Sequence, residues 1–227
     1  MQSTKKIITL DGGAATGKST AMVRLSTALG WHGVSTGHVY RAATVLALSE
    51  RISPDTASIE LAERLRAGAL TYNPARHRYS VMTPEGDPRE LSLAELSGPP
   101  VSAATPAYSR IPEVRAALLE FQRGLYRDPG LVADGRDCGT VVYPEATLKV
   151  WLEVDAVEAA RRLCRGLGQP FEAAYVDVLE RNRSDRMRGT APMLPADDAI
   201  RIDTTHLTAE EVYGVLLELV RRRGLGG

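Results

Sequence analysis

Ile7-Ile8-Thr9-Leu10-Asp11-Gly12-Gly13-Ala14-Ala15-Thr16-Gly17-Lys18-Ser19 is the stretch from which the architecture follows. Its first four residues form a short, apolar, β-rich run of the kind that makes a buried strand, and the glycines after it signal a tight loop. From Lys18 to Leu29 the apolar residues Met22, Leu25 and Leu29 recur at helical spacing before Gly30, which predicts a helix. Residues 12 to 19 fit G-x-x-x-x-G-K-[ST] between that strand and that helix, where the mechanism of a phosphate-binding loop requires the motif to lie. Such a loop turns successive backbone N–H groups toward phosphate oxygens, and the helix adds its positive end. Gly12, Gly13, Ala14, Ala15, Thr16, Gly17, Lys18, Ser19 and Thr20 are thus expected to bind the phosphates of a nucleotide. Lys18 would reach the β and γ phosphates, and the Ser19 hydroxyl would join a Mg²⁺ shell.

Further buried-strand candidates follow at Leu131 to Ala133, Leu148 to Leu152 and Ala199 to Ile202, and a second strand leads into Ser35. Helical stretches are read at Pro112 to Arg127, Val157 to Leu163, Phe171 to Met187 and Ala209 to Arg222. The alternation means an α/β fold with a parallel sheet. It breaks between about 70 and 100. There Leu70 to Asn73 and Arg78 to Met82 look like short strands, and the turn signal Gly86-Asp87-Pro88 follows, so a small inserted sheet is expected.

Composition narrows the function. The 227 residues allow one large domain or one domain with an insertion, and a 44% hydrophobic content can bury a core. With 28 basic and 28 acidic residues the chain lacks the cationic surface that general binding to nucleic acid or to an anionic membrane needs. No apolar run is long enough for a bilayer span and no leader-like segment opens the chain, so it reads as cytoplasmic. Cys138 and Cys164 are expected to stay thiols. Lysine is scarce, at positions 5, 6, 18 and 149 only, which makes its presence at 18 more telling than any of the arginines.

A phosphate loop names a nucleotide, not a reaction. A GTPase would carry an N-K-x-D-type guanine reader, yet neither Asn73 nor Asn182 is followed by lysine. A small-molecule kinase, a motor-like ATPase and a silent nucleotide-binding regulator remain. Three clusters favour the kinase: Ser35 to Arg41, Ala133 to Thr140, and the arginine-dense stretch Arg181 to Arg188. At helical spacing Arg181, Asp185 and Arg188 fall within ~60° of one another, whereas Arg183 and Arg186 point elsewhere. Clustered arginines suit phosphoryl transfer, which depends on clamping dispersed negative charge.

At these residues the chain resembles the bacterial cytidylate (CMP) kinases, a family of nucleoside monophosphate kinases. The resemblance covers nearly the whole chain: D-G-x-x-x-x-G-K-S, T-G-x-x-Y-R, P-x-V-R at Pro112 to Arg115, D-G-R-D-x-G-T, R-x-x-x-D-x-x-R, Ala191-Pro192 with Pro195, and Asp203-Thr204-Thr205. It implies a P-loop kinase core with a five-stranded parallel sheet (1–35 and 116–227), a mobile lid at about 165–190, and an inserted monophosphate-binding domain (36–115) with a small antiparallel sheet. The implied activity is transfer of the ATP γ-phosphoryl to CMP or dCMP with Mg²⁺, in a monomer. By match, Arg41, Arg136, Arg181 and Arg188 would hold the acceptor phosphate, with Lys18, Arg136, Arg181 and Arg188 as the catalytic charges. Arg115 and Asp137 would read cytosine, Asp185 the ribose hydroxyls, and Thr36 and Tyr40 would shape the pocket. Arg162 would lie on the ATP side, and Asp134 would hold Mg²⁺ through water.

The chain departs from the family pattern in several places. Pro106 stands where relatives usually offer the base a hydroxyl, leaving Thr105 or Ser102 for that contact. Asn182 replaces a common aspartate, Gly13 a proline, Cys138 an apolar residue, and His38 a small one. A kinase for another or modified nucleoside monophosphate, and a silent nucleotide-binding regulator, are the alternatives.

Overall fold

A computed structural model of the chain describes residues 5–226. The strand β1 (Ile7–Gly12) is buried at every position, as a central strand covered on both faces must be. The loop after it opens into α1 (Lys18–Leu29), which stops at Gly30 in the left-handed conformation, where the Gly30 N–H returns to Thr27 O. β2 (His32–Ser35) follows and passes directly into α2 (Thr36–Ser49).

The chain then builds α3 (Glu60–Arg66), β3 (Leu70–Asn73), β4 (Arg78–Met82), β5 (Pro88–Glu90), α4 (Leu93–Ser97), α5 (Pro99–Tyr108) and α6 (Pro112–Arg123). It returns through β6 (Leu131–Gly135), one π-helical turn at Cys138–Val142, β7 (Leu148–Glu153), α7 (Ala156–Leu167), α8 (Phe171–Arg186), β8 (Ile200–Asp203) and α9 (Ala209–Arg222).

The chain divides into two compact units. The first runs up to Ser35 and resumes at Tyr126; the second is Thr36–Leu125. In the first, the strands form a parallel sheet, as the alternation of strands and helices implied, and the five of them lie in the order β2-β6-β1-β7-β8. Its main apolar cluster joins Ile8, Leu10, Val132, Val150 and Leu152 of the sheet to Met22 and Leu25 of α1 and Val212, Leu216 and Val220 of α9. A capping box of Thr208 and Glu211 starts α9.

The second unit is organised on α2, whose residues from Ala42 to Ala47 are all buried. Its antiparallel sheet has the order β3-β4-β5, with Leu70 opposite Val81 and Tyr72 opposite Tyr79. The small sheet is therefore where the sequence placed it, and Pro88 begins its third strand rather than ending a turn. Helix α6 runs unbroken through residue 115 and lies wholly in this unit. It ends at Arg123, short of the expected Arg127, because Gly124 closes the last turn on Glu120 O and Phe121 O. Among the described residues no helix is long and apolar enough to cross a membrane.

Candidate active site

The site of the first unit is built where β1 and β6 end and α1 begins, at the carboxyl ends of parallel strands, the usual place for ligands in open α/β sheets. Gly12 has φ +149, and a Cβ there would lie 2.1 Å from the Leu152 carbonyl oxygen, so only glycine lets the loop leave the sheet. Ala15 takes a left-handed conformation at φ 56. Lys18 is 6% exposed and curls onto its own loop, donating to Gly13 O and, at 2.9 Å, to Thr16 Oγ1. Burial pushes the Lys18 ammonium well below the usual lysine range, and Arg136 pushes the same way, while Asp134, Asp11 and Asp185 oppose both.

Ser19 and Asp134, the two residues expected at a metal, are brought together: Ser19 Oγ donates to Asp134 Oδ2 at 2.5 Å. Among the described residues no group of three or more His, Cys, Asp or Glu could form an all-protein cage. One hydroxyl and one carboxylate fit a hard cation that keeps several waters and takes its other ligands from substrate phosphates. Arg162 lies beside the loop. It donates to Thr204 Oγ1 at 3.0 Å and Thr204 O at 2.5 Å, pairs with Glu158 at 3.1 Å, and reaches Ala15 O at 3.4 Å.

The arginine cluster differs from the sequence expectation. Asp185 accepts from Arg136 Nε at 2.9 Å on one oxygen and from Arg188 Nη2 on the other. Helix α8, however, ends at Arg186, so Arg188 is not on its face. The chain turns back there, and the Met193 N–H donates to Asp185 O at 2.9 Å. Arg181 is exposed and pairs with Asp177 at 2.7 Å, one turn earlier in the helix. Asp137 is buried beside Arg136 in the sequence, at the entrance to the π-helical turn.

In the second unit Thr36 is buried at the start of α2, and Arg115 is buried with its guanidinium 5.1 Å from the centre of the Tyr40 ring, also donating to Ser109 O at 3.2 Å. Arg41 donates to Leu96 O at 2.8 Å and to Ser102 Oγ at 2.9 Å. Pro106 lies inside α5, and the two hydroxyls expected in place of its missing one are both engaged. Ser102 holds Arg41 and donates to Ser97 O, and Thr105 donates to Val101 O at 2.6 Å.

A family model described as cytidylate kinase matches residues 8–222. The chain belongs to the cytidylate kinase family. The cytidylate kinase of Coxiella burnetii is 36% identical over 99% of this chain and 95% of its own length, and that of Carboxydothermus hydrogenoformans is 37% identical over 95% and 97%. A crystal structure of an uncharacterized protein from Eubacterium ventriosum, 10% identical, aligns with a TM-score of 0.51 over 96% of this chain and 99% of that one, a likeness of fold.

Three residues of this cytidylate kinase family member acquire roles that its sequence did not announce. Thr204, fully buried, donates to Glu153 O at 2.9 Å and lies 3.4 Å from Thr16 O, tying the phosphate loop to the end of β7. Asn182 accepts from the Ala14 N–H at 2.9 Å. Asp11, at the end of β1, accepts from the N–H groups of Cys138 and Gly139 at 2.9 and 2.7 Å, and so holds the turn that follows Arg136 and Asp137. The signals for Asp11 were its place at the end of a buried strand and at the head of D-G-x-x-x-x-G-K-S.

Burial raises the Asp11 pKa from 3.8 to about 6, and nearby Asp137 adds to the rise, against the lowering by the two N–H groups. The folded protein thus keeps a proton on Asp11 in a pH range where the unfolded chain has lost it. Its contribution to stability falls as pH rises from below about 4, through the folded-state value, to above about 6, by about 3 kcal/mol in all. Asp11→Asn removes that titration. Denaturant unfolding of both proteins across this range is expected to show the stability of wild type falling relative to the variant as pH rises; parallel profiles would contradict the assignment.

Proposed function

We propose that the chain transfers the γ-phosphoryl group of ATP to CMP or dCMP, giving ADP and CDP or dCDP. The observation that carries this is the buried Lys18 of a phosphate loop in the same unit as the Arg136–Asp185–Arg188 cluster. One element suits the phosphates of a donor, the other a second phosphate group.

The chemistry needs little from the protein beyond position and charge. The acceptor oxygen of a nucleoside monophosphate is already ionised near pH 7, so no general base is required. Lys18 and the N-terminal N–H groups of α1 neutralise charge on the donor, and Arg136 and Arg188 meet the acceptor phosphate in line with the transferring group. Arg162 serves the donor side through Ala15 and Thr204. Ser19 and Asp134 would hold Mg²⁺, which when bound supplies further charge neutralisation on the donor phosphates. Thr36, Tyr40, Arg41 and Arg115 of the second unit act on the monophosphate, with Arg115 and Asp137 reading the base and Arg181 supplying further positive charge. One copy of the chain carries every residue assigned here, so a monomer suffices.

Specificity tests the reading. A site that hydrogen-bonds its ligand rejects analogues that leave its buried groups unpaired, and Asp137 and Arg115 are both buried. ADP formation measured with CMP, dCMP, UMP, AMP and GMP should give kcat/KM for CMP and dCMP at least ~10²-fold above AMP and GMP. Asp137→Ala should erode the preference. Equal rates with AMP would overturn the proposal.

A further inference from the structure

Helix α8 meets the phosphate loop along one stripe. Ala174, Val178, Asn182 and Asp185 follow one another at intervals of three or four residues, which places them on a single helix face. Ala174 and Val178 are fully buried, and Val178 packs with Ala14 of the loop and Ala159 of α7. One turn later Asn182 Oδ1 takes the Ala14 N–H at 2.9 Å, and one turn beyond that Asp185 holds Arg136 and Arg188. Only the oxygen end of a carboxamide can accept from an N–H, so this bond also fixes which way Asn182 is turned.

Gly13 is the complement of Asn182. A Cβ at Gly13 would lie 2.9 Å from Asn182 Oδ1, 3.0 Å from Nδ2 and 3.2 Å from Cγ, so the carboxamide fills the space that any other residue at 13 would need. The two departures from the family pattern, at 13 and 182, thus lie in contact with each other. The N–H groups of Lys18, Ser19 and Thr20 begin α1 without intrahelical acceptors and suit an anion. The Ala14 N–H belongs to the opposite limb of the loop, and Asn182 satisfies it there, leaving the helix end for phosphate.

We propose that Asn182 is a positioning residue of the donor site. Through the Ala14 N–H, over Gly13, it fixes the phosphate loop to α8, so that the loop that takes ATP and the arginines held by Asp185 keep one register. The assignment rests on the reading of the chain as an ATP-dependent monophosphate kinase, and it gives Asn182 no contact with substrate.

A double-mutant cycle on the full chain tests it, with KM and kcat for both substrates, equilibrium titration with ATP, and thermal unfolding of each variant. Alanine is the best helix former, so Asn182→Ala leaves α8 intact. It is expected to raise the KM and the dissociation constant for ATP about fivefold, the effect of one hydrogen bond, and to change the KM for CMP less than twofold. Gly13→Ala, which displaces the carboxamide, should act similarly in the wild-type background and be nearly silent beside Asn182→Ala. Additive effects of the two substitutions, or a loss of thermal stability in Asn182→Ala with ATP affinity unchanged, would overturn the proposal. Failure of the kinase reading is distinguishable, because it would appear as inactivity of the wild type toward CMP, while ATP titration of the variants still reports on Asn182.

Discussion

Lys18→Met is expected to lower kcat by at least ~10²-fold, the scale for removing one preorganised charge from a transition state, with the fold retained. Lys18 is enclosed by its own loop, bonded to Gly13 O and Thr16 Oγ1. Its burial disfavours the ammonium until a more negative partner arrives, and the phosphates of a bound nucleotide are that partner. Methionine keeps a flexible apolar chain of similar length in the same space, so the lost quantity is charge rather than packing. The comparison requires kcat at saturating ATP and CMP together with the thermal midpoint. A kcat within threefold of wild type would remove Lys18 from the reaction.

The arginine cluster provides the second large effect. If Arg188 meets charge that is redistributed only as the phosphoryl moves, Arg188→Ala should depress kcat by about 10²- to 10³-fold. The resemblance assigns Asp185 to the ribose hydroxyls, which makes Asp185→Ala a KM variant. In the structure both its oxygens are taken by arginines, so its removal leaves two guanidinium groups without their common anchor. We therefore expect Asp185→Ala to lower kcat as well, and to add little in a chain already carrying Arg188→Ala. Arg183, exposed on α8, is the control and should change kcat less than twofold. Equal defects in Arg183→Ala and Arg188→Ala would mean that a general positive field, not this geometry, sustains turnover.

These expectations mark the point where sequence and structure part. The strand, loop and α1 were legible because a strand buried on both faces is a continuous apolar run and because glycines at 12 and 17 punctuate it. Helix α2 was not, since its stretch Ala42 to Ala47 is buried all round and shows no 3.6-residue period. Helix α5 hid behind Pro99, Pro100 and Pro106. The spacing of Arg181, Asp185 and Arg188 suggested a shared face. A turn at Met187 ended the helix early, and Arg136, 49 positions away, supplied the partner that spacing could not reveal. Asp11, Asn182 and Thr204 likewise act through contacts between distant parts of the chain, to which local periodicity is blind.

The central claim is direct transfer from ATP to a cytidine monophosphate, and the fate of the γ-phosphorus reports on it most plainly. ATP labelled at the γ position, incubated with the wild-type protein, Mg²⁺ and CMP, should deliver its label to the β-phosphate of CDP, with little inorganic phosphate formed when CMP is left out. Label recovered as inorganic phosphate whether or not CMP is present, or no labelled CDP from an enzyme that labels another monophosphate, would contradict it.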